Sequence, residues 1–155
     1  MSNFVIRGAA PLDSAAIVAL LKELAEFEKL HRAFTLTEEQ VRRDMFGQAC
    51  YCELAFEGQR PVGIATWFWT YKSFRALKGL YVEDLYVKPA YRGRGLGRQL
   101  LIRLAEKARA AQGIMEWRVL DWNKPAIAFY ESLGAHLMAE WLDCRLEGEG
   151  LERLR

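Results

Sequence analysis

A mixed α/β fold is what this 155-residue sequence predicts: a twisted sheet of about seven strands flanked by about four helices, in a single domain over residues 1–155. Three observations lead there. Short strand-like runs alternate with stretches whose apolar residues recur at helical spacing. Two long strand-like runs in the middle of the chain are separated only by turn chemistry. One strand, Tyr81 to Val87, runs through a glycine-rich turn directly into an amphipathic helix.

Phe4-Val-Ile-Arg7 reads as the first strand. A helix follows from Asp13, a candidate N-cap, with Ile17, Leu20, Leu21, Leu24 and Phe27 on one stripe. Thr37-Glu-Glu-Gln40 has the pattern of a capping box and opens a second helix through about Phe46. Cys50–Phe56 and Val62–Tyr71 are strands joined by the turn Glu57–Pro61, and they should form an antiparallel hairpin. Leu80–Val87 is the next strand, stopped by Pro89. The third helix starts at Gly97, buries Leu100, Leu101, Leu104, Ala105 and Ala108, and ends on Gly113 as a C-terminal cap. Ile114–Leu120 is a strand. Asn123, with Pro125 behind it, caps a short helix over Ala126–Leu133. Ala135–Ala139 and Leu142–Leu146 finish the chain as two closing strands.

The glycine turn is the most specific chemical signal. A helix N-terminus has unpaired N–H groups and a partial positive charge, so a phosphate is stable there. Gly93, Gly95 and Gly97 keep Cβ atoms away and let those amides converge, while Arg92, Arg94 and Arg98 add cationic donors. The spacing lacks both the dinucleotide fingerprint and the Gly-Lys-Ser/Thr of a P-loop. Glycines that merely end a strand, and arginines that merely solvate a helix, are the competing reading. In the strand ahead of the turn stand Glu83 and Asp84. Strand alternation sends such neighbours to opposite faces, and a buried carboxylate paired with Arg or Lys explains either one equally well. Tyr130, on the stripe Ile127–Tyr130–Leu133 of the short helix, reads either as a core tyrosine or as a proton donor.

Composition narrows the classes. A net charge of +2 argues against broad phosphate contact with nucleic acid. The longest apolar run, Ile64–Tyr71, falls well short of the ~20 residues that span a bilayer, and the start Met1-Ser-Asn-Phe-Val-Ile has no secretory pattern. Three cysteines without disulfide or zinc spacing, and two histidines, suggest a reducing, cytoplasmic setting and no metal site. Trp67, Trp69 and Trp141 lie near strands that a monomer would leave partly uncovered.

Two segments together resemble the GNAT superfamily of N-acetyltransferases, along nearly the whole chain. Arg92-Gly-Arg-Gly-Leu-Gly97 fits its pyrophosphate loop, Arg/Gln-x-x-Gly-x-Gly/Ala, and Asn123-Lys-Pro-Ala-Ile-Ala-Phe-Tyr130-Glu-Ser-Leu-Gly134 is similar to its second signature. Phe4–Arg7, Lys22-Glu-Leu-Ala25, Tyr81-Val-Glu-Asp84 and Asp121-Trp-Asn123 further resemble the diamine (spermidine/spermine-type) acetyltransferase subfamily, including its relatives that act on thialysine-like amino acids. The resemblance implies acetyl-CoA as acetyl donor, a small primary amine as acceptor, no metal, and a homodimer. It assigns the pantetheine arm to the backbone of Leu85, Tyr86 and Val87, and the pyrophosphate to Arg92, Gly93, Arg94, Gly95, Leu96, Gly97 and Arg98. Further cofactor contacts fall to Asn123, Lys124, Pro125 and Tyr130. Tyr130 takes the role of general acid, and Glu83 that of water-linked base or substrate-orienting carboxylate. Phe27, Glu28, Glu83, Asp84 and Glu140 fall where the amine is held. The alternatives are an acetyltransferase for another amino acid or protein lysine, or a non-catalytic acyl-CoA-binding regulatory domain.

Overall fold

The computed structural model of the chain describes residues 3–154 and shows two compact units, one up to Arg118 and one from Val119. Met1 and Ser2, part of the start read above for a secretory pattern, lie outside the described residues.

The first unit is built on a five-stranded sheet in sequence order: β1 (Phe4–Gly8), β2 (Tyr51–Glu57), β3 (Arg60–Lys72), β4 (Leu77–Val87) and β5 (Ile114–Trp117). Neighbours run antiparallel except β4 and β5, which are parallel. A parallel pair needs a crossover, and helix α3 (Leu96–Ala110) supplies it. The β2–β3 hairpin turns in two residues, with Gly58 at φ 61° as such tight turns require.

Alternation along β2 and β3 feeds two cores, one on each face of the sheet. Helices α1 (Ser14–Phe27) and α2 (Glu38–Asp44) cover one face, where Ile17, Leu20 and Val41 pack on Leu54 and Ile64. Helix α3 covers the other, where Leu96, Leu100 and Leu104 pack on Ala65, Trp67, Leu80 and Val82. Each of these leucines is fully buried, a contribution of about 1.5–3 kcal/mol per side chain. Glu53 ties β2 to α3, its buried carboxylate accepting from Arg103 at 2.6 Å and pairing with Lys107 at 3.3 Å. The capping box forms as the sequence predicts: Gln40 N–H donates to Thr37 Oγ1, and Thr37 N–H donates to Gln40 Oε1. Asp13 does precede α1, but its carboxylate accepts instead from Arg7 and from the Ala10 N–H.

The second unit contains α4 (Lys124–Ser132) and the short α5 (Glu149–Glu152). Asn123 caps α4 by accepting from the Ala126 N–H. Three expectations are corrected. Among the described residues the strands number five, because Ala135–Ala139 and Leu142–Leu146 form none; alternation specifies a strand's faces but not a partner for its edges. Trp67 is a core residue at 4% exposure, stacked on Tyr51, whereas Trp141 is 75% exposed. Gly113 is not the left-handed residue that ends α3. Gln112 takes that conformation, at φ 52°, and Gly113 is required by space: a Cβ there would stand 2.3 Å from the Lys78 carbonyl oxygen on β4.

Gly113→Ala should therefore destabilise the fold by about 1–3 kcal/mol, the usual cost of overpacking. Denaturant titration reads it directly; an unchanged midpoint would contradict this close approach of the chain leading into β5.

Candidate functional site

The register of β4 makes the site. Thr66 stands opposite Asp84 and Trp67 opposite Val82, so Glu83 is the extra residue of a β-bulge. The bulge breaks strict alternation. Leu80 and Val82 face the α3 core, and beyond the bulge Leu85 and Val87 face it again, while Tyr86 belongs to the α1 core. Glu83 and Asp84 therefore stand between two α3-facing residues, on the α1 side together, and not on opposite faces as alternation alone predicts. On the other edge, β5 pairs only with Gly79–Val82. From Glu83 to Val87, β4 has a strand partner on the β3 side alone among the described residues. An extended ligand chain can hydrogen-bond to such an edge as an added strand.

At the end of that edge the chain turns through Pro89–Tyr91 into the glycine segment. Gly95 is the N-cap of α3 at φ 78°, and Gly93 has φ 74°, values that side chains disfavour. No side chain caps this helix, so the N–H groups of its first turn are left for an outside acceptor. Nothing lies within 4 Å of a Cβ built at Gly93 or Gly95, so there is room beside the backbone for a diphosphate. Two of the three arginines are engaged locally. Arg92 donates to the Val87 carbonyl at 2.9 Å and lies 5.0 Å over the Phe27 ring. Arg94 donates to Glu57 at 3.0 Å and lies over the Phe4 and Tyr91 rings. Arg98 is exposed.

On the α1 face a cavity of about 230 Å³ has apolar walls from Leu21, Leu24, Leu30 and Phe34, with Glu28 and Asp84 as its carboxylates. Burial pushes the Glu28 carboxyl up from its ordinary pKa, and Asp84 and Glu83 push it further. Asp84 is likewise raised, first by burial and then by Glu83, while the Thr66 hydroxyl, donating to Oδ2 at 2.5 Å, works in the opposite direction. Cys50 stands near this group, half-buried, its thiol raised by burial and by Asp84, Asp44 and Glu83. Among the described residues Glu28, Glu83 and Asp84 form no ion pair with Lys or Arg. Glu28 and Asp84 are partly buried and Glu83 is exposed, and an acidic group of this kind, without an ion pair among the described residues, favours a cationic ligand.

The remaining candidates lie in the second unit. Asn123 is the α4 cap, Lys124 donates to the Asp121 carbonyl at 2.7 Å, and Pro125 sits in the first turn. Tyr130 is half-buried on α4, its ring 5.5 Å from that of Phe129. Glu140 is exposed in a turn.

Two residues of the first unit escaped the sequence reading. Thr66 is the hydroxyl partner of Asp84, and its signal was a polar residue in an otherwise apolar strand face. Glu23 on α1 accepts from Tyr86 Oη and pairs with Lys88 Nζ, both at 3.0 Å, and so fastens α1 to the end of β4. Burial and Glu23 push the Tyr86 phenol up to about 12. The matching segment Lys22–Ala25 marked Glu23 without revealing its partners.

Comparison with known proteins agrees with this geometry. The profile of the acetyltransferase (GNAT) family matches residues 15–135. Thialysine N-epsilon-acetyltransferases from Caenorhabditis elegans and Mus musculus are 35% and 36% identical, each over 99% of this chain and 98% of the relative. A human spermidine/spermine N(1)-acetyltransferase-like protein is 39% identical over 87% of this chain and 21% of its own length. Among solved structures, an integron cassette protein from the mobile metagenome of V. cholerae superposes with a TM-score of 0.82 at 26% identity, covering 99% of this chain and 98% of that one. An open edge on β4, a glycine turn at an uncapped helix and this full-length likeness lead to one conclusion: the chain belongs to the GNAT family of acetyltransferases.

Proposed function

We propose that this acetyltransferase moves the acetyl group of acetyl-CoA to a primary amine of a small diamine, polyamine or thialysine-like amino acid, by direct attack in a ternary complex. One observation carries the choice of acceptor: the apolar cavity with Glu28 and Asp84 in its wall, and Glu83 beside them, with no Lys or Arg ion pair to any of the three among the described residues. Apolar walls suit methylenes and the carboxylates suit ammonium groups. The full-length thialysine N-epsilon-acetyltransferase relatives support the same reading.

Acetyl-CoA, when bound, supplies an acyl thioester; the chain's residues hold the reactants and move protons. The backbone of Leu85, Tyr86 and Val87 holds the pantetheine on the open edge, and Arg92 through Arg98 hold the pyrophosphate. Asn123, Lys124 and Pro125 add cofactor contacts by the motif match. An alkylamine has a reference pKa near 10.4, so freeing its lone pair near neutral pH costs about 4 kcal/mol. Glu83, acting through water, accepts that proton, and an apolar surround lowers the cost. As the C–N bond forms and the C–S bond breaks, a main-chain N–H of Leu85–Val87 stabilises the oxyanion and Tyr130 Oη gives its proton to the thiolate. Phe27, Glu28, Asp84 and Glu140 hold the amine. No metal takes part in this scheme. We further propose a cytoplasmic protein of one N-acetyltransferase domain that works as a homodimer without nucleic-acid partners. The exposed Leu137, Met138, Trp141, Leu142 and Leu146 support dimerisation.

The reading as a whole is tested by following thiol release from acetyl-CoA over a panel of diamines, polyamines, thialysine and lysine peptides. Turnover confined to the peptides would reject a small acceptor. Gly95→Val should weaken acetyl-CoA binding far more than it lowers stability: the left-handed backbone strains a side chain, while the space that the side chain would fill is that of the diphosphate. Calorimetry showing unchanged affinity would remove the diphosphate from this turn. Tyr130→Phe and Glu83→Gln should each retain acetyl-CoA affinity and lower kcat by roughly 10²–10⁴-fold, the usual effect of losing a positioned acid or base. Wild-type rates in either variant would strip that residue of its role. Light scattering should give a particle of twice the 17.8 kDa chain, and a fully active monomer would refute the homodimer.

A further inference from the structure

Thr66 lies on β3 at 1% exposure, on the sheet face it shares with Ile64 and the α1 core. A hydroxyl in that setting is costly unless it is bonded, and a valine would fill the same volume without the cost. Its bond goes to Asp84 Oδ2 at 2.5 Å, across the β3–β4 ladder beside the Glu83 bulge. Asp84 in turn lines the cavity with Glu28, and Oδ1 has no protein hydrogen-bond partner among the described residues. One oxygen is thus fixed by the scaffold and the other is left for a ligand.

We propose that Thr66 is a positioning residue for the acceptor amine: by donating to Oδ2 it fixes the Asp84 carboxylate so that Oδ1 receives an ammonium group of the substrate. This rests on the amine-acetyltransferase reading and adds to it a residue that touches neither substrate. Among the described residues no Lys or Arg forms an ion pair with Asp84. Glu28 comes from the end of α1 and Glu83 from the bulge, while the Cys50 and Cys52 thiols on the β2 side are themselves raised in part by Asp84. Burial and Glu83 raise Asp84, and the Thr66 hydroxyl is what lowers it. Without that hydroxyl the carboxyl would hold its proton to higher pH, lose its charge sooner as pH falls, and release the ammonium group.

The test compares wild type, Thr66→Val and Thr66→Ser in thiol-release assays with thialysine and 1,3-diaminopropane at saturating acetyl-CoA, from mildly acidic to mildly basic pH. Thr66→Val should raise the amine KM by about tenfold or more, the loss expected for one hydrogen bond to a charged group. Its kcat and acetyl-CoA KM should stay within about twofold, and the acid limb of kcat/KM for the amine should move to higher pH. Thr66→Ser, which restores the hydroxyl but not the methyl group, should recover the wild-type limb even if Thr66→Val folds poorly. An amine KM and acid limb in Thr66→Val equal to wild type would overturn the proposal while leaving the acetyltransferase reading intact. A Thr66→Ser protein that behaves like Thr66→Val would also overturn it, because packing would then be the cause. Wild type that acetylates neither amine nor any other small amine would overturn the reading itself, and the role of Thr66 with it.

Discussion

A strand that runs past its neighbour has backbone groups that must be satisfied by something else, and β4 does so from Glu83 to Val87. The rest of the first unit is arranged around that surplus edge. The β3 ladder holds β4 along its other side, α1 and α3 clamp its two faces, and Glu23 anchors its end through Tyr86 and Lys88. Rigidity on three sides would hold the fourth ready for the proposed cofactor, since an edge that could shift would add the entropy of ordering it to the cost of every encounter.

The bulge and the open edge are linked by position. Pairing with β5 ends at Val82, and the extra residue comes immediately after it. One irregularity thus adjoins the point where the edge is freed and places two carboxylates on the α1 side, Asp84 in the wall of the apolar cavity and Glu83 exposed beside it. Strongly charged residues in a buried strand usually call for a cation nearby. Among the described residues Glu28, Glu83 and Asp84 have no Lys or Arg ion-pair partner, an imbalance that an ammonium group of the proposed amine would offset, giving selectivity for charge ahead of any match of shape.

Much of this was legible in the residues and some could not be. The capping box at Thr37–Gln40, the tight β2–β3 hairpin, the Asn123 cap and the stripe of α3 all follow from local chemistry, and local chemistry is what a sequence displays. The side on which Glu83 and Asp84 lie is not written in the sequence, because a bulge is a property of two strands in register, not of either strand. The same holds for Gly113, whose neighbour is a carbonyl thirty-five positions away at Lys78. The two closing strands are absent for a related reason: Ala135–Ala139 and Leu142–Leu146 have strand-like composition, and no described strand pairs with them. Residues engaged across the fold, such as Thr66 with Asp84 and Arg94 with Glu57, are visible in sequence only as isolated polar letters.

Cys50 shares its surroundings with these carboxylates, and the effect on its own reactivity is protective. Sulfur attacks thioesters, peroxides and alkylating agents as the anion, and neighbouring negative charge together with burial keeps this thiol in its protonated form. If acetyl transfer takes place beside these carboxylates as proposed, a more acidic cysteine there would be open to acylation on its sulfur. The carboxylates that would attract the proposed amine thus also disfavour the thiolate at Cys50, so the field around them would favour nitrogen over sulfur as the nucleophile.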